Sequence, residues 1–328
     1  MKHIFIIFTL LFIVSCKGDP SEKAVSKTGD AILDQMTQDI VDKPLKPELY
    51  YTRAKYLYEQ ENFDLALQDM HKAMQIDSIN PLYYHLTSDI LLDYYQSDNA
   101  LKAMQKVVAL HPKRTASLLK LSELQMILKQ YDPSIKTVNE ILSYDPQNAE
   151  AFFMLGLNFR ELGDMPRAIN SFQTAVEIDP ELVDGWIILG DLYDEEKDLR
   201  ALDFYNNAVT VAPQNIQALH SKAYYLQNHG KIDQAIELYD QIIELDLHYK
   251  EAHLNKGILF IEAKDYDRAF EEFNIICTSH PAYYLGYYYR AIVHQLKGEE
   301  TAAKNDFQNC LNLNPEFTRA EEALKAFQ

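Results

Sequence analysis

Half of the twelve prolines fall on a fixed spacing. Pro112, Pro146 and Pro180 stand 34 residues apart, Pro213 follows after 33, Pro281 after 68 and Pro315 after 34. No other property constrains the fold as tightly. A period of this length leaves room for one small supersecondary unit, which buries its apolar face only by stacking on the next. Counting outward divides the chain into eight contiguous units: 47–80, 81–114, 115–148, 149–182, 183–215, 216–249, 250–283 and 284–317. Position 8 is small in every unit (Ala54, Ser88, Ser122, Gly156, Gly190, Ala223, Gly257, Ala291). So is position 20 (Ala66, Ala100, Ser134, Ala168, Ala201, Ala235, Ala269, Ala303), as expected where two helices of one unit cross closely. The proline at position 32 stops the second helix. Ser78 and Leu247 replace it in the first and sixth units, where looser turns are expected, and the fifth unit is one residue short, assigned to the turn around Lys197.

Trp186, Leu189, Gly190 and Tyr193 form the pattern W-x2-L-G-x2-Y, followed by Ala201, Tyr205, Ala208 and Pro213. Phe152, Leu155, Gly156, Phe159, Gly163, Ala168, Phe172, Ala175 and Pro180 repeat it. The chain thus resembles the tetratricopeptide-repeat family over residues 47–317. The resemblance implies an all-α, right-handed solenoid of eight helix-turn-helix repeats. Both ends read as capped. Asp30 is placed to N-cap a helix over 31–42 with Ile32, Leu33, Met36 and Ile40 on one face, within an N-terminal cap of 30–46. Ala320, Leu324 and Phe327 form the apolar stripe of a C-terminal capping helix in 318–328.

The N-terminus has a different character. Met1, Lys2 and His3 precede an apolar run, Ile4 to Val14, broken only by Thr9 and too short for a permanent membrane span. A basic start, an apolar stretch and small residues at a cut read as an export signal, residues 1–15. Ile13-Val14-Ser15-Cys16 resembles the lipobox of bacterial lipoproteins. By that resemblance the Cys16 thiol carries a diacylglycerol and its freed amine a further acyl chain such as palmitate; more than one chain gives stable anchoring. Lys17 after the cysteine implies sorting to the outer membrane of a diderm bacterium, and residues 16–29 read as a flexible tether. Cys277 and Cys310 are too few for a disulfide framework and are expected as buried free thiols.

The formal charge of −18 argues against nucleic acid as a partner. No glycine-rich phosphate loop, Cys-x-x-Cys or nucleophile motif occurs, and no cofactor, metal or enzymatic activity is expected. His248, Glu251 and His253 come closest to a ligand cluster, but His253 falls on a packing position. His85 and Asp89 read as an ordinary i,i+4 pair.

The resemblance implies that the first helix of each repeat lines a concave groove through positions 2, 5, 9 and 12. The expected peptide-binding residues are Tyr51, Tyr58, His85, Leu119, Phe153, Ile187, Asp191, His220, Tyr224, Leu254 and Tyr288. This groove is apolar and aromatic toward its C-terminal part and carries Asp89, Glu123, Asp191, Asp194 and Glu195 in its middle. Chaperone adaptors of the family grip a carboxylate with Lys at position 5 and Asn at position 9, and neither occurs here. The expected partners are protein segments in which basic residues flank apolar anchors. The expected function is a lipid-anchored scaffold at the periplasmic face of the outer membrane. The alternative is a regulatory or targeting subunit that docks an envelope enzyme acting on peptidoglycan or glycans.

Overall fold

The computed structural model describes residues 28–327; the signal 1–15, Cys16 and the tether as far as residue 27 lie outside the described residues. Among the described residues there are eighteen α-helices and no strands. A first helix, α1 (Ala31–Asp42), precedes eight pairs, each a helix A followed by a helix B. The pairs are α2 (Pro47–Glu59) with α3 (Phe63–Ile76), α4 (Pro81–Asp93) with α5 (Ser97–Leu110), and α6 (Thr115–Ile127) with α7 (Tyr131–Tyr144). They continue as α8 (Ala149–Glu161) with α9 (Met165–Ile178), α10 (Val183–Glu195) with α11 (Ala201–Val211), and α12 (Ile216–Asn228) with α13 (Ile232–Leu245). The last are α14 (Lys250–Glu262) with α15 (Tyr266–Ser279) and α16 (Tyr284–Leu296) with α17 (Glu300–Leu313), before the final α18 (Thr318–Lys325). The fold is a tetratricopeptide-like solenoid. It falls into two compact units, up to Leu124 and from Gln125 onward, each built from the same repeat.

Helix A ends the same way in every repeat. Position 15 has positive φ throughout: Glu61, Tyr95, Lys129, Gly163, Lys197, Gly230, Lys264 and Gly298, between +57° and +77°. The N–H of position 16 then donates back to the carbonyl of position 11, as from Asn62 to Leu57 (2.8 Å) and Asp265 to Phe260 (2.8 Å). This six-to-one bond closes the last turn of helix A and turns the chain into helix B. Repeat 5 keeps it, Asp198 to Tyr193 at 2.8 Å, so the register survives past Lys197. The missing residue is instead lost in the first turn of helix B. Only Leu199 and Arg200 separate Asp198 from the buried Ala201, where repeat 4 has three residues between Asp164 and Ala168.

The small residues act as expected. All eight position-8 residues are buried, and where that residue is glycine, at Gly156, Gly190 and Gly257, the ring of Phe172, Tyr205 or Phe273 on the following helix lies against it. A Cβ on Gly257 would stand 2.5 Å from the Phe273 ring, and one on Gly156 would stand 2.6 Å from Phe172. Positions 20, 24 and 27 complete a core that is almost fully closed, as at Ala269, Phe273 and Ile276. Cys277 and Cys310 are buried free thiols within it, both pushed up to about 11 by burial.

The turns that lack proline are not looser. In repeats 1 and 6 the Asp77 and Asp246 carboxylates accept from the N–H groups of Ile79 (3.2 Å) and His248 (3.0 Å). The Asp179 turn, which keeps its proline, does the same with Glu181 (3.0 Å). Position 4 ties several of the turns between repeats to the helix that follows: Tyr50 donates to the Pro44 carbonyl, Tyr84 to Ser78 and Trp186 to Pro180.

Three repeats add an ionic clamp. The base at position 7 reaches an acid at position 23 of its own repeat and an acceptor on the preceding helix. Arg53 binds Asp69 through two nitrogens (2.7 and 2.6 Å) and Thr37 (3.0 Å). Arg290 binds Asp306 (2.7 and 2.8 Å) and Asn274 (2.8 Å). Lys256 binds Glu272 (2.7 Å) and Asp240 (2.8 Å).

A helix stands at each end of the eight pairs, and the second, α18, stops at Lys325, before Phe327. Asp30 accepts from the N–H groups of Ile32 and Leu33 at the start of α1 and from the Tyr56 hydroxyl (2.5 Å). Ile32 is a correction: it is 56% exposed, and the packed face of α1 is Leu33, Met36 and Ile40. In α18 Ala320 is buried, and Phe327 packs 6.2 Å from Phe307.

Candidate partner-binding surface

The expected groove residues all lie on A helices, and several bridge to the A helix of the next repeat. In the first unit His85 Nε2 meets Ser117 Oγ at 2.9 Å and Asp89 pairs with Lys120 at 2.5 Å. The sequence paired His85 with Asp89; the structure sends each to the next helix instead. Burial lowers the His85 pKa, aided by Lys120 and Arg114, so the ring is neutral near pH 7. The Tyr58 hydroxyl donates to Asp93. Tyr51 is half-buried 5.6 Å from the Tyr83 ring, and Leu119 is half-buried.

In the second unit position 5 belongs largely to the packing. Phe153 stands edge-on to Phe172 at 5.4 Å, and Tyr288 is enclosed by Tyr289, Phe307 and Phe317 at 5.0–5.9 Å. Ile187 is only 6% exposed, closed in with Ala208 and Ala218, and therefore offers no surface to a partner. Phe153 and Tyr288 lie against the ring at position 24 of their own repeat, Phe172 and Phe307, whereas Ile187 is closed in by Ala208 and by Ala218 of the next repeat.

The open part of the surface is the next row. Tyr224 is 51% exposed and stacks at 6.4 Å and 9° on His220, which also meets Asn255 (3.3 Å) and the rings of Tyr239 and Tyr249. Burial lowers the His220 pKa, leaving a neutral aromatic platform under Tyr224. Asp191 is open to solvent although protein atoms surround it, and it accepts from the Tyr205 hydroxyl (2.7 Å). Burial raises its pKa, with Glu195 and Asp194 adding repulsion, against the lowering hydrogen bond from Tyr205. Asp194 lies 3.5 Å from His229 Nε2 and Glu195 is exposed. Leu254 is half-buried. The surface thus offers an aromatic area beside a net negative patch, suited to apolar anchors with basic neighbours.

His253 is held at both ring nitrogens, Nδ1 by Glu272 (2.6 Å) and Nε2 by the Leu247 carbonyl (3.0 Å). It is a buried packing residue that does not converge with His248 and Glu251. Among the described residues no three His, Cys, Asp or Glu side chains gather as a metal site. The sequence reading missed the clamps, although their signal is a fixed one: a base followed by an acid sixteen residues later.

The chain matches a family model described as a tetratricopeptide repeat over residues 220–284, and one described as a FAT domain over residues 25–228. Its fold is similar to that of a chain in the crystal structure of the APC/C hetero-tetramer Cut9–Hcn1, with 18% identity and a TM-score of 0.53. That similarity covers 89% of this chain and 58% of the other, so this chain spans little more than half the length of that protein. It is similar also to a tetratricopeptide repeat protein from Parabacteroides merdae, with 17% identity and a TM-score of 0.51, over 75% of this chain and 97% of the other. The model described as a FAT domain spans more than half of the chain, which belongs to that family, and its fold is a tetratricopeptide-like solenoid.

Proposed function

We propose that the chain is a scaffold anchored by lipid at Cys16, holding protein partners at the periplasmic face of a diderm outer membrane. The fold supports a protein-binding role, and the signal and lipobox pattern support the anchor. The observation that carries the binding role is Tyr224, half exposed on a neutral His220 platform in the same unit as Asp191, Asp194 and Glu195. Such a surface takes up segments in which Lys or Arg flank apolar anchors. The chain acts by holding rather than by catalysis, and residues 17–29 give it reach from the membrane.

Crosslinking in intact envelopes followed by recovery of the full chain tests the reading. A specific partner should be captured, and Tyr224→Ala with Asp191→Asn should abolish its capture while helicity stays unchanged. Recovery as an uncomplexed monomer, or capture indifferent to both substitutions, overturns it. Labelling with a palmitate analogue should be lost in Cys16→Ala. The enzyme-docking alternative uses the same surface; a deletion strain with intact outer-membrane assembly and altered hydrolase activity would favour it.

A further inference from the structure

The turns between helices A and B repeat a chemical device. In repeat 4 the Arg167 guanidinium lies 4.3 Å over the Phe159 ring while its Nε donates to Asp164 (2.6 Å). Repeat 5 sets Arg200 4.7 Å over Tyr193 and binds it to Asp198, and repeat 7 sets Arg268 4.3 Å over Phe260 and binds it to Asp265. A variant closes the outer side of the repeat 7 turn. There an open cavity of about 480 Å³ is lined by Tyr266 and Asp267 and by Lys297 of the next repeat. The Lys297 Nζ sits 2.8 Å from Asp267 and 5.8 Å from the Phe270 ring. At each of these turns a ring and a carboxylate hold a cation that the chain itself supplies.

The turns of repeats 1 and 2 lack this device, with Leu57, Asn62 and Leu65 and with Leu91, Gln96 and Asn99 at its three positions, and gather other rings and carboxylates with no cation among them. An open cavity of about 690 Å³ is lined by Tyr58, Glu59, Glu61, Phe63, Leu92, Asp93 and Tyr95. A smaller one of about 320 Å³ shares Glu61 and Phe63 and adds Asp64 and Tyr94. No basic side chain lines either. The place that Lys297 takes beside repeat 7 is held here by Tyr94, 5.4 Å from Phe63. Phe63 in turn lies 6.1 Å from Tyr58. Tyr95 stands 95% exposed on a backbone with φ of +58°, at a position where repeats 4, 6 and 8 have glycine.

We infer that the cavity between Tyr58, Phe63, Asp93 and Tyr95 is a binding site for an organic cation, a guanidinium or alkylated ammonium group. Glu59, Glu61 and Asp93 supply the charge, and the ring faces favour a weakly hydrated, delocalised or alkylated cation. A hard metal ion would require six or more oxygen ligands instead of rings. The site lies at the turn ends of the repeats and is independent of the scaffold reading, sharing only Tyr58 with the expected groove residues.

Ligand-detected saturation-transfer NMR on the full chain tests the inference at fixed ionic strength. The probes are Nα-acetylarginine amide, choline, and the uncharged choline isostere 3,3-dimethylbutan-1-ol. Saturable binding of a cationic probe is expected, with none of the alcohol. Tyr95→Ala and Asp93→Asn should each weaken it about five- to tenfold, while Tyr224→Ala leaves it unchanged. Preference for the arginine derivative assigns the site to a protein side chain; preference for choline assigns it to a small molecule or headgroup. Equal binding of the alcohol, indifference to both cavity substitutions, or no saturation by about 10 mM overturns it.

Discussion

Replacing Glu272 removes the centre of a buried ionic cluster. Its side chain accepts from His253 Nδ1 at 2.6 Å and Lys256 Nζ at 2.7 Å, and His253 and Glu272 are 2% and 8% exposed. Charge-assisted bonds of this kind contribute roughly 1.5–3 kcal/mol each, and stripping one partner from a buried pair costs about 3–5 kcal/mol because the remaining charge stays desolvated. Glu272→Ala should therefore lower stability by about 4 kcal/mol, and Glu272→Gln by roughly half, since one donor keeps a carbonyl. Contacts in a solenoid run only between neighbours, so the damage should be local. Urea unfolding at pH 7 gives the size, and hydrogen-exchange mass spectrometry should show faster exchange in α14, α15 and α16 first. The acid limb supplies a second readout. Burial alone would raise the Glu272 pKa, but the hydrogen bonds from His253 and Lys256 outweigh it and hold the carboxyl below its ordinary value of 4.5. Its stabilisation is complete above that value and is lost as pH falls through the lower folded pKa. Glu272→Gln should accordingly lose less stability than the native chain on acidification below pH 4.5. A cost under about 1 kcal/mol for Glu272→Ala, or exchange that quickens evenly along the chain, would refute the cluster's role.

Three further perturbations follow from the geometry. Gly257→Ala drives a methyl to 2.5 Å from Phe273; overpacking of about 1–3 kcal/mol against a helix-propensity gain of about 1 kcal/mol leaves a net loss near 1 kcal/mol. Pairing it with Phe273→Leu should recover most of that loss in a double-mutant cycle, and strict additivity would count against the close crossing. Tyr95→Gly relieves a left-handed aromatic residue and should raise the denaturant midpoint by about 0.5–1 kcal/mol equivalent, even as it removes cation binding. Lys222 stands at the clamp position of repeat 6, where the residue sixteen later is Leu238 instead of an acid, and burial lowers its pKa. Lys222→Met should therefore stabilise the chain at pH 7 by up to about 1 kcal/mol, with the advantage shrinking as pH rises toward the ordinary lysine value of 10.5. A less stable variant would mean that Lys222 has a partner in solution.

The helical-repeat fold, the Asp30 cap and the small positions 8 and 20 were legible in the chain because each answers to a local rule of spacing or of close crossing. The location of the lost residue in repeat 5 was not. A gap in a periodic pattern can be placed anywhere between two conserved landmarks until the Asp198–Tyr193 bond shows where register is kept. The binding surface was only half legible, because helical spacing identifies a face but not its depth. Ile187 and Tyr224 both sit on the face assigned to the groove. Yet the first disappears beneath its neighbours and the second stands half in water.

That difference bears on where function is written in a repeat protein. Residues that satisfy the repeat, such as Gly257 under Phe273 or Trp186 on the Pro180 carbonyl, are consumed by stacking and say nothing about a client. Information about partners must then reside where the chain departs from its own pattern at no benefit to packing. Tyr95 is such a departure, a large ring placed in solvent on a backbone better suited to glycine. The turn of repeats 1 and 2 is another, with its carboxylates and rings but none of the bases that repeats 4, 5 and 7 supply. Exposure without a packing role, and carboxylates with no base beside them, are costs to a lone chain that a bound cation removes. The two departures occupy one cavity, and packing accounts for neither.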